Sequence, residues 1–325
     1  MAKKSLLVAA AGLLLAAACT QSPEPPAAPT AQTPPPPAAP KGKVITMQRG
    51  GFIPEGVEYD QANRRFLTGS LVEGSILEIH DDGRVTPFIT DPLLVSSVGI
   101  EVDEPRDRLL VANSDRAAFQ PGNAGQAKLG VYNLTTGERL AMVDLAAAPG
   151  SPADATQHFA NDLTVDADGN VYLTDTMTGV IYKVGTDYQA SVLHRFTGLP
   201  QGEQLNGIVA HPGGYLLVVA DASIYKVPVA NPSAASKVTV TEPVKGQDGI
   251  VWTADGRLAA ISNSADAPSV VLFASTDDWA TAQRAGVAKL VGQATTGAAV
   301  GADIWAVHPH FGDADPPSLE QAVFE

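Results

Sequence analysis

One segment recurs five times along the chain, and a sixth copy is weaker. Each copy has a polar or glycine-containing start, an apolar run, an Asp/Gly turn, a second apolar run and a small or polar end. The copies are PEGVEYDQANRRFLTGS, SVGIEVDEPRDRLLVAN, ANDLTVDADGNVYLTD, LNGIVAHPGGYLLVVAD and QDGIVWTADGRLAAIS, then TTGAAVGADIWAVH. Their ends align at Ser70, Asn113, Asp175, Asp221, Ser262 and His308, with spacings of 43, 62, 46, 41 and 46 residues. A period near 40–50 residues is that of a four-stranded propeller blade. Polar insertions at Ser114–Gln126 and Ala146–His158 account for the one long interval.

Each copy reads as a β-hairpin, with turns such as Asp168-Gly169-Asn170 and Asp255-Gly256 joining its strands. No long segment repeats with the helical period. The expected fold is all-β, a six-bladed β-propeller over residues 41–325. Lys43–Gln48 would supply an outer strand to the last blade and close the ring. A β-sandwich or a smaller blade number are the alternatives that the hairpins alone leave open.

The first forty residues read as an address. Lys3 and Lys4 precede an apolar stretch from Leu6 to Ala18, and Ala16-Ala17-Ala18 lead into Cys19. Residues 1–18 are therefore expected to be a lipoprotein signal peptide, with Cys19 cleaved and lipidated, although Leu15 lies one position early for the usual lipobox. An ordinary signal peptide is the alternative. Residues 19–40, rich in Pro and Ala, are expected to form a disordered tether. The protein would then sit in the cell envelope, outside the cytoplasm, touching membrane only through its lipid. Cys19 is the one cysteine, so neither an intramolecular disulfide nor a thiolate metal cluster can form. The formal net charge of −14 argues against nucleic acid as a partner. A monomer acting on a small molecule is the expectation.

In a propeller, the first strand of each blade lines the channel and begins at one mouth. The positions 14 or 15 residues before each aligned end are Glu55, Val98, Asn161, Asn206, Asp248 and about Ala294. Four of them carry oxygen donors and should converge on the axis. An all-oxygen set suits a hard divalent cation, Ca²⁺ first, with Zn²⁺ or Mn²⁺ also accommodated. Position by position, each reads first as a turn residue; four in register favour a metal site.

The motifs Pro54-Glu55-Gly56, Ala160-Asn161-Asp162, Asn206-Gly207-Ile208 and Asp248-Gly249-Ile250 give the chain, from Phe52 to His310, a further meaning. It resembles the gluconolactonase, regucalcin and luciferin-regenerating-enzyme family of six-bladed propellers. That resemblance implies Glu55, Asn206 and Asp248 as metal ligands, and Asn161 as a fourth ligand or a substrate contact. It also implies Asp248 as the general base in hydrolysis of a lactone or ester. The substrate-binding arginine of regucalcin-like enzymes has no counterpart, because Phe159 and Ala160 stand before Asn161; this favours a more apolar substrate than a sugar lactone.

The remaining polar residues divide by their position in the repeats. His308 reads evenly as a proton shuttle at the mouth or as a loop histidine, and His310 as a loop residue. His158 lies three residues before Asn161 in an insertion, where it would contact substrate or simply be solvated. Asp175 and Asp221 would orient ligands from behind or act as turn residues. His80, His194 and His211 read as structural. Asp166–Asn170 reads as a hairpin turn, since it lacks the length and the downstream Glu of a calcium loop. No phosphate loop, nucleophile elbow or dinucleotide fingerprint occurs. The rival to a hydrolase is a non-catalytic propeller scaffold, with a structural metal or none.

Overall fold

The computed structural model describes residues 42–312 and 315–325. The signal peptide, Cys19 and the tether lie outside the described residues. Among the described residues the regular structure is β-strand, with three short 3-10 turns and no α-helix. No helix there is long and apolar enough to cross a membrane.

The strands form six groups of four antiparallel strands, linked by hydrogen bonds into five sheets. The structure thus bears out an all-β, propeller-like arrangement, with five hydrogen-bonded sheets where a six-bladed ring was expected. The second and third groups share one eight-stranded sheet, because His158 and Phe159 pair in parallel with Gly125 and Gln126. These are residues of the two polar insertions or their edges. One further short strand, Thr239–Val240, pairs in parallel with Thr281–Lys289 and widens the fifth group. The sixth group is closed by the N-terminal strand Val44–Thr46, which pairs with Ser318–Gln321 as expected.

The first strands of the groups are Val57–Asp60, Ser96–Asp103, His158–Val165, Leu205–His211, Gln247–Trp252 and Gly297–Val300. Each lies against the next, and the last lies against the first. This cyclic order makes the arrangement propeller-like. It also explains the sequence pattern. The second strands Arg108–Ser114, Val171–Asp175, Tyr215–Ala220 and Leu258–Ser262 are buried at every position, because neighbouring groups cover both faces. Their central residues therefore read as short apolar runs, with polar residues at the ends. Fourth strands such as Arg139–Asp144 are only partly covered and are mixed in composition.

Four of the six first strands carry a β-bulge at the repeat position singled out above. Val98-Gly99 oppose Ala112, Asn161-Asp162 oppose Thr174, Asn206-Gly207 oppose Val219, and Asp248-Gly249 oppose Ile261. A bulge inserts a residue, bends the strand and re-aims side chains. The glycine after the donor position has a steric cause. A Cβ on Gly207 would lie 2.5 Å from the Asp248 carbonyl oxygen, and one on Gly56 would lie 2.3 Å from that of Val98. The first strands approach too closely there for any side chain. Gly207→Ala is expected to cost about 1–3 kcal/mol by overpacking, read as a lower urea midpoint. An unchanged midpoint would show that the strands part without penalty.

Candidate functional site

The bulges bring acidic and amide side chains together at one end of the ring. Asp248 is buried; it accepts a hydrogen bond from Asn263 Nδ2 at 2.6 Å and one from the Asn206 side chain. Burial pushes its carboxyl up to about 7, against the lowering effect of those two amides. Glu55 lies within electrostatic reach of Asp248 and Asp162, and burial plus these two charges hold its carboxyl well above the usual range. Glu55, Asn206 and Asp248, three of the four expected donors, therefore share one locus.

Asn161 sits beside them in sequence register. Its Nδ2 donates to Thr176 Oγ1 at 3.0 Å, and Thr176 Oγ1 donates to the Leu205 carbonyl oxygen at 2.8 Å. That chain fixes the amide orientation. It leaves Asn161 Oδ1 buried with no partner. An unpaired buried oxygen costs about 1–3 kcal/mol, so this atom is prepared for a cation or a donor from a ligand.

Three further carboxylates join the set, and the sequence reading passed over them. Asp162 takes the repeat position that is Gly56, Gly99, Gly207 and Gly249 in four other copies. Its Oδ2 accepts the Ile208 N–H of the neighbouring group at 3.2 Å, and Oδ1 accepts the Leu163 N–H at 2.9 Å. Burial nevertheless raises it to about 7, with Asp248 adding to the rise. Glu58 and Glu101 stand three residues after the first and second donor positions. Burial raises Glu58 to about 8, with Asp162 contributing. Burial, then the charges of Glu58, Asp162 and Asp103, raise Glu101 well above its ordinary value. The available signals were an Asp replacing a repeated Gly, and a Glu recurring inside two first strands.

The last copy differs from expectation. Gly249 N donates to the Thr295 carbonyl, as Gly56 N does to that of Val98. Thr295, not Ala294, is therefore the equivalent residue, because the hairpin is one residue shorter at its turn: Gly297 pairs with Ala306, whereas Ile250 pairs with Ala260. Its Oγ1 donates to the Glu55 carbonyl at 2.8 Å and ties the last group to the first.

His308 is not placed as a proton shuttle. It is fully buried, its Nδ1 bonds the Gln293 carbonyl at 3.0 Å, and its Nε2 lies 3.0 Å from Glu320 in the adjacent strand. Nδ1 is held within its own group, while Nε2 stands at ion-pair distance from Glu320 without a hydrogen bond. His310 has a left-handed backbone and its Nε2 lies 3.4 Å from Ser318 Oγ. His158 Nδ1 bonds Asp175 Oδ2 at 2.9 Å, while Asp175 Oδ1 accepts the N–H groups of Phe159, Met177 and Thr178. Asp175 thus anchors the loop above Asn161 and orients His158. Asp221 is exposed in a left-handed turn, where it accepts the Gly246 N–H at 2.8 Å. It fixes the backbone leading into Asp248, as a turn residue does.

The residues present suit a hard cation. Two carboxylates, Glu55 and Asp248, with amides Asn161 and Asn206, offer only oxygen, one of them orphaned. Among the described residues no group of three or more His, Cys, Asp and Glu is disposed to hold a metal, so the amide oxygens are necessary to any such site.

An all-β ring with acidic residues at the mouth of its innermost strands defines the class: a propeller-like protein with a candidate polar centre. No protein-family model matches the sequence, and a comparison with curated proteins finds no match. Among solved structures, a gluconolactonase from Xanthomonas campestris is similar at a TM-score of 0.60 and 15% identity, covering 89% of this chain and 99% of that one. A calcium-binding regucalcin from Agrobacterium tumefaciens has a TM-score of 0.60 and 18% identity over 87% of this chain and 94% of its own. Virginiamycin B lyase from Staphylococcus aureus has a TM-score of 0.56 and 11% identity over 87% and 99%. At these identities the likeness establishes the fold, and the chemistry must come from the site.

Proposed function

We propose that this protein is a divalent-metal-dependent hydrolase of lactone or ester type. The reading includes a ring of six blades and an N-terminal lipid that tethers it outside the cytoplasm. The observation that carries the chemistry is the convergence of partly buried Glu55 and Asp162 with buried Asp248, beside the orphaned Asn161 Oδ1. Buried carboxylates of like charge are costly without compensation. The similar gluconolactonase and regucalcin folds support the choice of reaction class.

Glu55, Asn206 and Asp248 would hold the cation, with Asn161 as a fourth oxygen or a contact to substrate. When bound, a cation such as Ca²⁺, Zn²⁺ or Mn²⁺ supplies charge compensation and polarises a carbonyl oxygen. Asp248 accepts the proton of the attacking water at its carboxylate; Asn263 and Asn206 hold that carboxylate in place. Asp162, fixed by the Ile208 N–H, keeps the negative potential directed at the same centre.

The test is a turnover screen of aliphatic lactones and aryl esters with protein stripped by EDTA. Adding back Ca²⁺, Zn²⁺ or Mn²⁺ is expected to raise hydrolysis at least about tenfold with one of them. No turnover of any substrate under any of these conditions would refute the reading.

A further inference from the structure

The chain has a formal net charge of −14, yet one cavity gathers cations. It lies at the fifth strand group, has a volume of about 490 Å³ and is lined by Lys245, Arg284 and Lys289. Against these three, the lining among the described residues sets one carboxylate, Asp266. Arg284 Nη1 lies 3.3 Å from Glu242 Oε2 in a solvent-exposed pair, where the net attraction is small. Among the described residues the Lys245 and Lys289 side chains have no ion pair and no hydrogen bond, and Asp266 pairs with none of the three cations.

The rest of the wall is mostly apolar. Val244, Pro268, Val271, Val287 and Leu290 line it, and Val271 and Leu290 are buried. Strand register puts the two kinds of side chain together. Val271 pairs with Val287 and Ser269 with Lys289, so these four share one face of the third and fourth strands. The walls are tied to one another. Ser262 Oγ donates to the Lys245 carbonyl at 2.8 Å, Asn263 N to the Gly246 carbonyl at 2.9 Å and Leu290 N to the Pro268 carbonyl at 3.0 Å. A preformed cavity of this volume, apolar with a few charged groups, has the build of a small-molecule site.

We infer that this cavity binds a small amphiphilic carboxylate, its head held by Lys245, Arg284 and Lys289 and its alkyl body lying against Val271, Val287 and Leu290. The charge of the lining selects an anion, three cations against one carboxylate. The wall selects the body: five apolar side chains suit an aliphatic chain, and no aromatic ring lines the cavity to stack against a planar one. Extended polyanions are disfavoured by the acidity of the whole chain. Glu55, Asn161, Asn206 and Asp248 do not line the cavity. The inference therefore goes beyond the hydrolase reading and stands whether or not that reading holds.

The experiment measures affinity by calorimetry on the full chain in EDTA, which removes any metal that could capture a carboxylate elsewhere. The probes are octanoate, octan-1-ol and acetate. Octanoate is expected to bind about tenfold more tightly than octan-1-ol, with an advantage that shrinks as salt is raised. Acetate, six methylenes shorter, is expected to bind more weakly by on the order of 10²-fold. The double variant Lys245→Gln, Lys289→Gln removes two exposed, unpaired cations. It is expected to lower octanoate affinity about five- to tenfold, leaving octan-1-ol binding and the melting temperature unchanged. Absence of octanoate binding, equal binding of octanoate and octan-1-ol by the wild type, or unchanged octanoate affinity in the folded double variant overturns the inference. Acetate binding as tightly as octanoate also overturns it, by reducing the cavity to a plain anion site.

Discussion

Asp248→Asn is expected to lower kcat for lactone or ester hydrolysis by about 10²–10⁴-fold, the range for a positioned general base. The substitution keeps the shape and one acceptor oxygen for the amides of Asn206 and Asn263, so the fold is retained. Removing one of several crowded buried charges relieves repulsion, and the melting temperature of metal-free protein is expected to stay level or rise. The pH dependence follows from the same burial. With the Asp248 carboxyl pushed up to about 7, its base form grows as pH rises through neutrality. In metal-free protein the carboxyl proton competes with the cation, so activity at limiting metal should climb through that range. Steady-state kinetics from pH 5 to 9, beside thermal melts, checks both parts. Full activity in folded Asp248→Asn would remove this residue from the chemistry.

The second large effect is on stability. Asp162 and Asp248 are raised to about 7 and Glu58 to about 8, from ordinary values near 4. Between pH 4 and 8 the folded state therefore binds more protons than the unfolded chain. Stability must fall as pH rises through this window. Metal-free protein is expected to be most stable near pH 4–5, where other carboxylates do not yet oppose folding, and to lose a few kcal/mol by pH 8. That corresponds to a drop in melting temperature on the order of 10 °C. A divalent ion at a hundred times its dissociation constant should return about 2.7 kcal/mol at pH 8. At pH 5, where the carboxyls are protonated, it should return far less. Thermal melts at the two pH values, with EDTA or with added Ca²⁺, read the effect. A melting temperature that rises from pH 5 to 8 without metal would contradict the buried acidic cluster.

Fold class and the donor register were legible because they are written locally. Apolar runs between Asp-Gly turns mark the hairpins, and their spacing marks the repeat. Glu55, Asn206 and Asp248 could be aligned by counting back from the hairpin ends. Asp162 was hidden by its neighbour, since Asn161 already filled the donor position. Its meaning appears only when the Ile208 N–H of another group is seen to cap it. Glu58 and Glu101 lie off the donor position, and only the ring brings them within reach of Asp162.

The sequence alone determined the hairpin units, the glycines that permit close strand approach and the oxygen-donor chemistry at four copies, because period, turn residues and side-chain type are local properties. The tertiary structure alone decided which charges share one low-dielectric centre, that His308 belongs to the packing of its own group and that Thr295 replaces Ala294 in the register. Those are matters of strand register and ring closure, which join residues far apart in the chain, such as Thr295 and Glu55, 240 positions apart.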